Sequence, residues 1–264
     1  DQIYSEEYID FIGNRSLIES KYTLDCKQPL GARFASLYLK LSDGYEDGTV
    51  YGYYNIPKLF GLQDTGSMES SGILQVRENP YLKLDGSGVL IGFVDTGIDY
   101  AGSIFLKQDG TTRVTAIWDQ TIPAGSPIRL PAQPELPETP ENITRTPEGF
   151  LYGSEFTHEQ LNAAVKMADA YEGISSRDEN GHGTFLASIA AGNELPDGSF
   201  TGAAPKADIA MVKLKPAKNR LRAYYQIKED AVAYQENDIM AGVLYLVSLA
   251  KKRQQPLVIC LGLG

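Results

Sequence analysis

The sequence predicts an α/β protein: a mostly parallel β-sheet flanked by helices. Three observations carry this. Short apolar runs are bounded by glycine or proline, helical segments fall between them, and the two kinds of segment alternate along the chain. Residues 1–55 stand apart as an N-terminal extension with one strand, "ARFASLYLKL" (32–41), and residues 56–264 hold the alternating pattern. The first buried strand is "SGVLIGFVD" (87–95), entered through Gly86 and Gly88 and left through "TGID". A continuous apolar run of that length suits a parallel strand covered on both faces. A helix of little side-chain bulk follows over 184–191, within "GHGTFLASIAAG" (181–192), and then a second buried strand, "ADIAMVKL" (207–214). Residues 236–252 place Ile239, Val243, Leu246 and Ala250 on one face of an amphipathic helix. Lys251, Lys252 and Arg253 fall at its end, where cations complement the helix dipole. The run "PLVICLGLG" (256–264) is the third buried strand.

Residues 119–150 break this rhythm. Seven of the fourteen prolines lie there, which rules out helix and inner strand and predicts a long surface insertion.

Bulk properties exclude several functions. The chain has 264 residues and a net charge of −10, with no basic run, so nucleic acid and anionic membrane are not expected partners. No apolar run approaches the ~20 residues of a membrane span. The acidic start "DQIYSEEYIDF" lacks the layout of a signal peptide. Two cysteines, Cys26 and Cys260, build no disulfide framework or metal spacing, and Cys260 reads as a small core residue. The glycosylation-type triplets at 14–16 and 142–144 read as chance matches.

Two residues carry candidate chemistry. Asp95 ends the first buried strand, and catalytic groups in open parallel sheets gather at strand carboxyl ends, although an Asp there can equally form a turn. His182, one of two histidines, sits between Gly181 and Gly183 at the head of the small-residue helix, where a cap and a working imidazole are both open readings. His158 has no such setting and reads as a solvent-facing or helix-start residue. A nucleotide site fails, because Gly86, Gly88 and Gly92 precede or lie within the strand instead of following it.

The order of "VDTGID", "HGT" opening a small-residue helix, and "AAP" leading into a strand resembles the subtilisin-like serine proteases (subtilases) over about 85–264. The resemblance implies a three-layer subtilisin-like fold, incomplete here because the C-terminal half of the catalytic domain is missing. It makes Asp95 the triad carboxylate and His182 the general base. It likens the third strand to the one that pairs with extended substrate, with Gly262, Leu263 and Gly264 as substrate-binding residues where the family commonly has Ser-Leu-Gly. The phrases "YGYYNIPKLFGLQD", "TTRVTAIWDQTIPAG", "GFLYGSEFTHEQLNAA" and "VAYQENDIMAGVLYL" are similar to the clostridial spore-germination (Csp-type) branch. That branch acts on protein, including precursor proteins, and points to a cytoplasmic or spore-associated location.

Subtilases supply the nucleophilic serine and an oxyanion-hole asparagine after the third strand, so both are expected beyond residue 264. The chain is expected to be an inactive piece of a serine endopeptidase whose partners are a protein or peptide substrate and the missing half of its own domain. A catalytically incompetent regulatory relative is the alternative. Residues 1–55 correspond to an extension or a degenerate pro-segment. The chemistry requires no cofactor. Subtilases often hold structural Ca²⁺, but no loop here has readable ligand spacing for it.

Overall fold

A computed structural model describes residues 2–21, 27–40, 53–60, 81, 84–130, 143–197 and 200–263. Its centre is a five-stranded sheet made of β5 (Leu90–Asp95), β6 (Val114–Asp119), β7 (Ser154–Thr157), β8 (Asp208–Lys213) and β10 (Leu257–Cys260). The strand order is β10-β5-β8-β6-β7, with β10, β5, β8 and β6 parallel and β7 antiparallel at one edge.

Side-chain alternation sorts this sheet into two cores. On one face Ile91, Phe93, Ile117, Ile209 and Met211 pack under the helices His158–Val165 and His182–Ala191. On the other, Leu90, Val94, Trp118, Ala210 and Val212 pack against the long helix Glu236–Arg253 through Ala241, Tyr245 and Leu246. Helix, sheet and helix make the three layers. Glycine permits the close approach on the second face: a Cβ at Gly92 would lie 2.7 Å from Leu246, and one at Gly242 would lie 3.0 Å from Val94. Every residue of β5 and of β6 is buried, as expected of strands covered on both sides.

The three strands and both helices of the alternating pattern are present with small boundary shifts. The third strand is not buried as expected: β10 lies at the sheet edge, its residues are half-buried and Val258 is exposed. Elements that the sequence reading did not delineate include β6, β7, the short helices Ala170–Gly173 and Asn219–Tyr224, and the helix His158–Val165. That helix opens on a full capping box, in which Thr157 and Gln160 satisfy each other's backbone N–H groups. His158 is its first residue, in line with the helix-start reading, and its Nε2 lies 3.0 Å from the Thr112 carbonyl. Of the proline-rich stretch 119–150, Asp119 instead ends the inner strand β6, whereas the described residues 120–130 and 143–150 carry no helix or strand ladder, only isolated bridges such as Pro127–Ile143.

The N-terminal segment is richer than the single strand the sequence showed. β1 (Tyr8–Asn14), β2 (Lys27–Leu30) and β3 (Phe34–Lys40) form an antiparallel sheet in the order β1-β3-β2, with the helix Arg15–Lys21 beside it. Leu30 and Tyr38 join the core of the long-helix face. Asp10, fully buried on β1, accepts from Lys218 Nζ (2.5 Å), Gln235 Nε2 (2.8 Å) and Asn237 Nδ2 (3.0 Å). A two-stranded ribbon, β4 (Leu59–Phe60) with β9 (Tyr234–Gln235), lies just ahead of the long helix. Among the described residues no helix is long and apolar enough to cross a membrane.

Candidate active site

Parallel strands ending together place their last residues along one edge. Asp95, Lys213 and Asp119 are in register at the carboxyl ends of β5, β8 and β6. Each is buried, and the two flanking Lys213 are acidic. Lys213 Nζ is 2.8 Å from Glu179 Oε2 and 3.9 Å from Asp119 Oδ2. Asp119 also accepts from the Ser176 hydroxyl at 2.7 Å, so that end of the edge is a closed polar network.

Asp95 faces the helix start instead. His182 Nδ1 stands 2.8 Å from Asp95 Oδ1, across 87 positions of sequence. A carboxylate only accepts, so this contact selects the tautomer that carries its proton on Nδ1 and leaves Nε2 as the basic nitrogen. The Thr96 backbone N–H donates to the same oxygen at 2.7 Å. No donor among the described residues reaches Asp95 Oδ2. Burial pushes the Asp95 carboxyl above its ordinary range, while the hydrogen bonds from His182 and Thr96 pull the other way. The Asp95 side chain is 1% exposed and the His182 ring 14%, so the pair is held inside the edge and not displayed on it.

Backbone proximity explains the glycines. Gly183 lies against Gly97, and a methyl group at 183 would overlap the Gly97 carbonyl oxygen. Gly97 has φ +128°, a conformation L side chains rarely adopt, and a Cβ there would lie 2.9 Å from the Arg177 carbonyl. Gly181, at φ +87°, turns the chain into the helix. The glycine flank of His182 thus serves the contact between the helix start and the strand-end turn more than it clears space around the imidazole.

Asp178 is a site residue that the sequence reading missed. The N-cap position, Gly181, has no side chain to satisfy the first helical N–H groups. Asp178 supplies the acceptor from three residues upstream, taking the N–H groups of Gly181 (2.9 Å) and Thr184 (2.8 Å) and the hydroxyls of Thr96 (2.8 Å) and Thr184 (2.6 Å). Burial opposes its ionisation, but these hydrogen bonds prevail and hold its carboxyl below the ordinary range. An Asp shortly before a helix start is a capping signature, and that signal was available in "RDENGHGT".

The three residues assigned to substrate binding separate. A Cβ at Gly262 would lie 3.3 Å from His182 Cε1 and 3.5 Å from Asp95 Oδ2, so this glycine adjoins the pair. The Leu263 side chain packs toward the long-helix core. Gly264 lies outside the described residues. Cys260 is partly buried and packs on the His182-helix core, and burial raises its thiol pKa. Cys26 lies outside the described residues. Among the described residues no group of three His, Cys, Asp or Glu side chains could hold a metal ion.

Comparison with known proteins agrees with this geometry. The family model described as the subtilase family matches residues 86–264. Subtilisin-like protease SBT3.8 of Arabidopsis thaliana is 30% identical over 144 residues, covering 48% of this chain and 16% of that protein. Subtilisin-like protease SBT2.2 of the same plant is 31% identical over 146 residues, covering 52% and 16%. The solved structure of the Clostridium perfringens CspB protease superposes with a TM-score of 0.51 at 29% identity, covering 72% of this chain and 32% of that one. The chain therefore spans less than a third of each of these relatives. With the family model matched over more than half of its residues, and with the sheet-edge geometry that accompanies the match, this chain belongs to the subtilase family of serine proteases.

Proposed function

We propose that Asp95 and His182 are the carboxylate and general base of a serine endopeptidase that cleaves peptide bonds in protein substrates, including precursor proteins. The observation that carries this is the 2.8 Å contact between His182 Nδ1 and Asp95 Oδ1 at the carboxyl edge of the parallel sheet. His182 Nε2 takes the proton of a serine hydroxyl as that oxygen attacks the scissile carbonyl, and then returns it to the leaving amine. Asp95 stays ionised, holds the ring in register and stabilises the imidazolium. The serine and the oxyanion-hole asparagine are assigned to the protein beyond Gly264, in keeping with the small share of its relatives that this chain spans. On this reading the 264-residue chain alone is inactive. Residues 1–55 are a docked N-terminal unit, an extension or a degenerate pro-segment, and the three polar contacts of Asp10 support its packing on the catalytic unit.

The test is peptide hydrolysis by the full-length protein, with and without a serine-directed phosphonate. Hydrolysis that the phosphonate blocks and His182→Ala abolishes is the expected result. Wild-type turnover in His182→Ala overturns the assignment. Neither hydrolysis nor phosphonate labelling in the wild type would favour a regulatory relative without activity.

A further inference from the structure

The Asp95–His182 contact depends on two elements meeting from distant parts of the chain, and neither residue fixes that meeting. Asp95 ends a strand, while His182 begins a helix whose N-cap, a glycine, makes no side-chain bond. What joins them is a bracket centred on one carboxylate. Asp178 Oδ1 binds the Gly181 N–H and the Thr96 hydroxyl, and Oδ2 binds the Thr184 N–H and hydroxyl. Each hydroxyl then accepts from the opposite element. Thr96 Oγ1 takes the Gly183 N–H at 2.9 Å, and Thr184 Oγ1 takes the Asp99 N–H at 3.0 Å. The six hydrogen bonds therefore cross-link the 95–99 turn to the 181–184 helix start at two points. Three of them fall on residues adjacent to Asp95 or His182, namely Thr96, Gly181 and Gly183.

We propose that Asp178, acting through the hydroxyl of Thr96, is the positioning residue of this site: it sets the separation and angle of the Asp95–His182 pair without touching the reacting atoms. Its chemistry suits the task. An ionised carboxylate takes four donors at once and gives charge-assisted bonds, which are shorter and stiffer than neutral ones. An amide in its place would turn one acceptor into a donor aimed at other donors. Thr96 is the link that separates positioning from helix capping. Removing its hydroxyl cuts the tie that adjoins Asp95, while Thr184 still takes the Asp99 N–H, and Asp178 keeps its bonds to Gly181 and Thr184, so the helix stays capped.

This proposal rests on the reading of Asp95 and His182 as the acid–base pair, so its test includes a readout that does not need turnover. The full-length protein is prepared with ¹⁵N-labelled histidine as wild type, Asp178→Asn, Thr96→Val and Thr96→Ser. The His182 signals are assigned by their loss in His182→Gln. An imidazolium held against a carboxylate titrates higher than one that is not. The His182 midpoint is therefore expected to fall in Thr96→Val, which changes no charge, and to return in Thr96→Ser. In peptide hydrolysis, kcat is expected to drop about 10²-fold in Thr96→Val with KM within about twofold, the cost of a misplacement on the order of 1 Å. Asp178→Asn should follow the same direction and also lower Tm, because it uncaps the helix as well. A His182 midpoint that moves while the wild type hydrolyses nothing supports the positioning role and sinks the protease reading instead. Wild-type kcat and an unmoved His182 midpoint in both Thr96→Val and Asp178→Asn, whatever their Tm, would overturn the proposal.

Discussion

Gly183 meets Gly97 so closely that no side chain fits between the start of the His182 helix and the turn after Asp95. The helix can approach the strand end only because residue 183 is glycine; a Cβ at Gly97 would instead meet the Arg177 carbonyl and Asp178. Gly183→Ala must push the helix start away from the turn, since the obstacle is a backbone oxygen and cannot rotate aside. The expected outcome in the full-length protein is a loss of about 10²-fold in kcat/KM, the scale of a misplacement near 1 Å. Steady-state kinetics on a peptide substrate checks this. Full activity in Gly183→Ala would mean that the helix start tolerates a shift without moving His182.

Asp95→Asn should separate stability from activity. Burial holds the folded-state pKa of Asp95 above its unfolded value. The sign follows from linkage: such a group contributes stability that is fully present below its unfolded pKa and is lost as pH rises through the raised folded value. At neutral pH the ionised carboxylate is therefore a cost to the fold, and an amide of the same shape removes it. Asp95→Asn should keep or raise Tm at pH 7 while kcat falls on the order of 10⁴-fold, because the amide no longer supports the imidazolium. Thermal melts and kinetics on one preparation test both halves. A lowered Tm at pH 7 would place the pairing with His182 above the cost of burial.

The legibility of this chain divides along physical lines. β5 and β8 were readable because apolar runs bounded by glycine or proline announce strands covered on both faces, and β10 was readable from the same apolar run although it lies half-exposed at the sheet edge. The Glu236–Arg253 helix was readable from its apolar period and its basic last turn. β6 was missed, although wholly buried, because its run "VTAIWD" sits between Thr112, Arg113 and Gln120. Those three polar residues are buried too, and tertiary contacts decide their place: Arg113 reaches the carbonyls of Ile104, Ala191 and Ala207. β1, "YIDFIGN", was missed because its buried Asp10 finds its partners more than 200 residues away, at Lys218, Gln235 and Asn237. The pair itself was legible through the family pattern around Asp95 and His182. The capping role of Asp178 was legible in "RDENGHGT", but its tie to Thr96 was not, since that partner lies 82 positions away across a contact that no single stretch contains.

Asp10 gives the third prediction. Its carboxylate and Lys218 are buried together, and removing one partner strands the other charge. Asp10→Ala should destabilise by about 3–5 kcal/mol, the usual cost of breaking a buried pair from one side. Asp10→Asn, which still offers an oxygen to the two amides, should cost less. Denaturant unfolding measures both. A loss under about 1 kcal/mol for Asp10→Ala would show that water reaches Lys218 when its partner is removed, and that the N-terminal sheet seals this site only loosely.

Gly262 is tested best together with Leu186. A Cβ at 262 would overlap the Leu186 Cδ1 methyl and lie 3.3 Å from His182 Cε1. Leu186 is buried on the His182 helix, so the added methyl forces either Leu186 into another rotamer or His182 away from Asp95. Gly262→Ala alone should reduce kcat/KM by about tenfold, in line with the 1–3 kcal/mol cost of overpacking a filled core. Leu186→Ala opens the space that the new methyl needs, so the double variant should recover part of that loss. The coupling should fall within the 0.5–3 kcal/mol typical of residues in contact. Additive effects in the double variant would show that the methyl acts on His182 directly and that Leu186 yields at no cost.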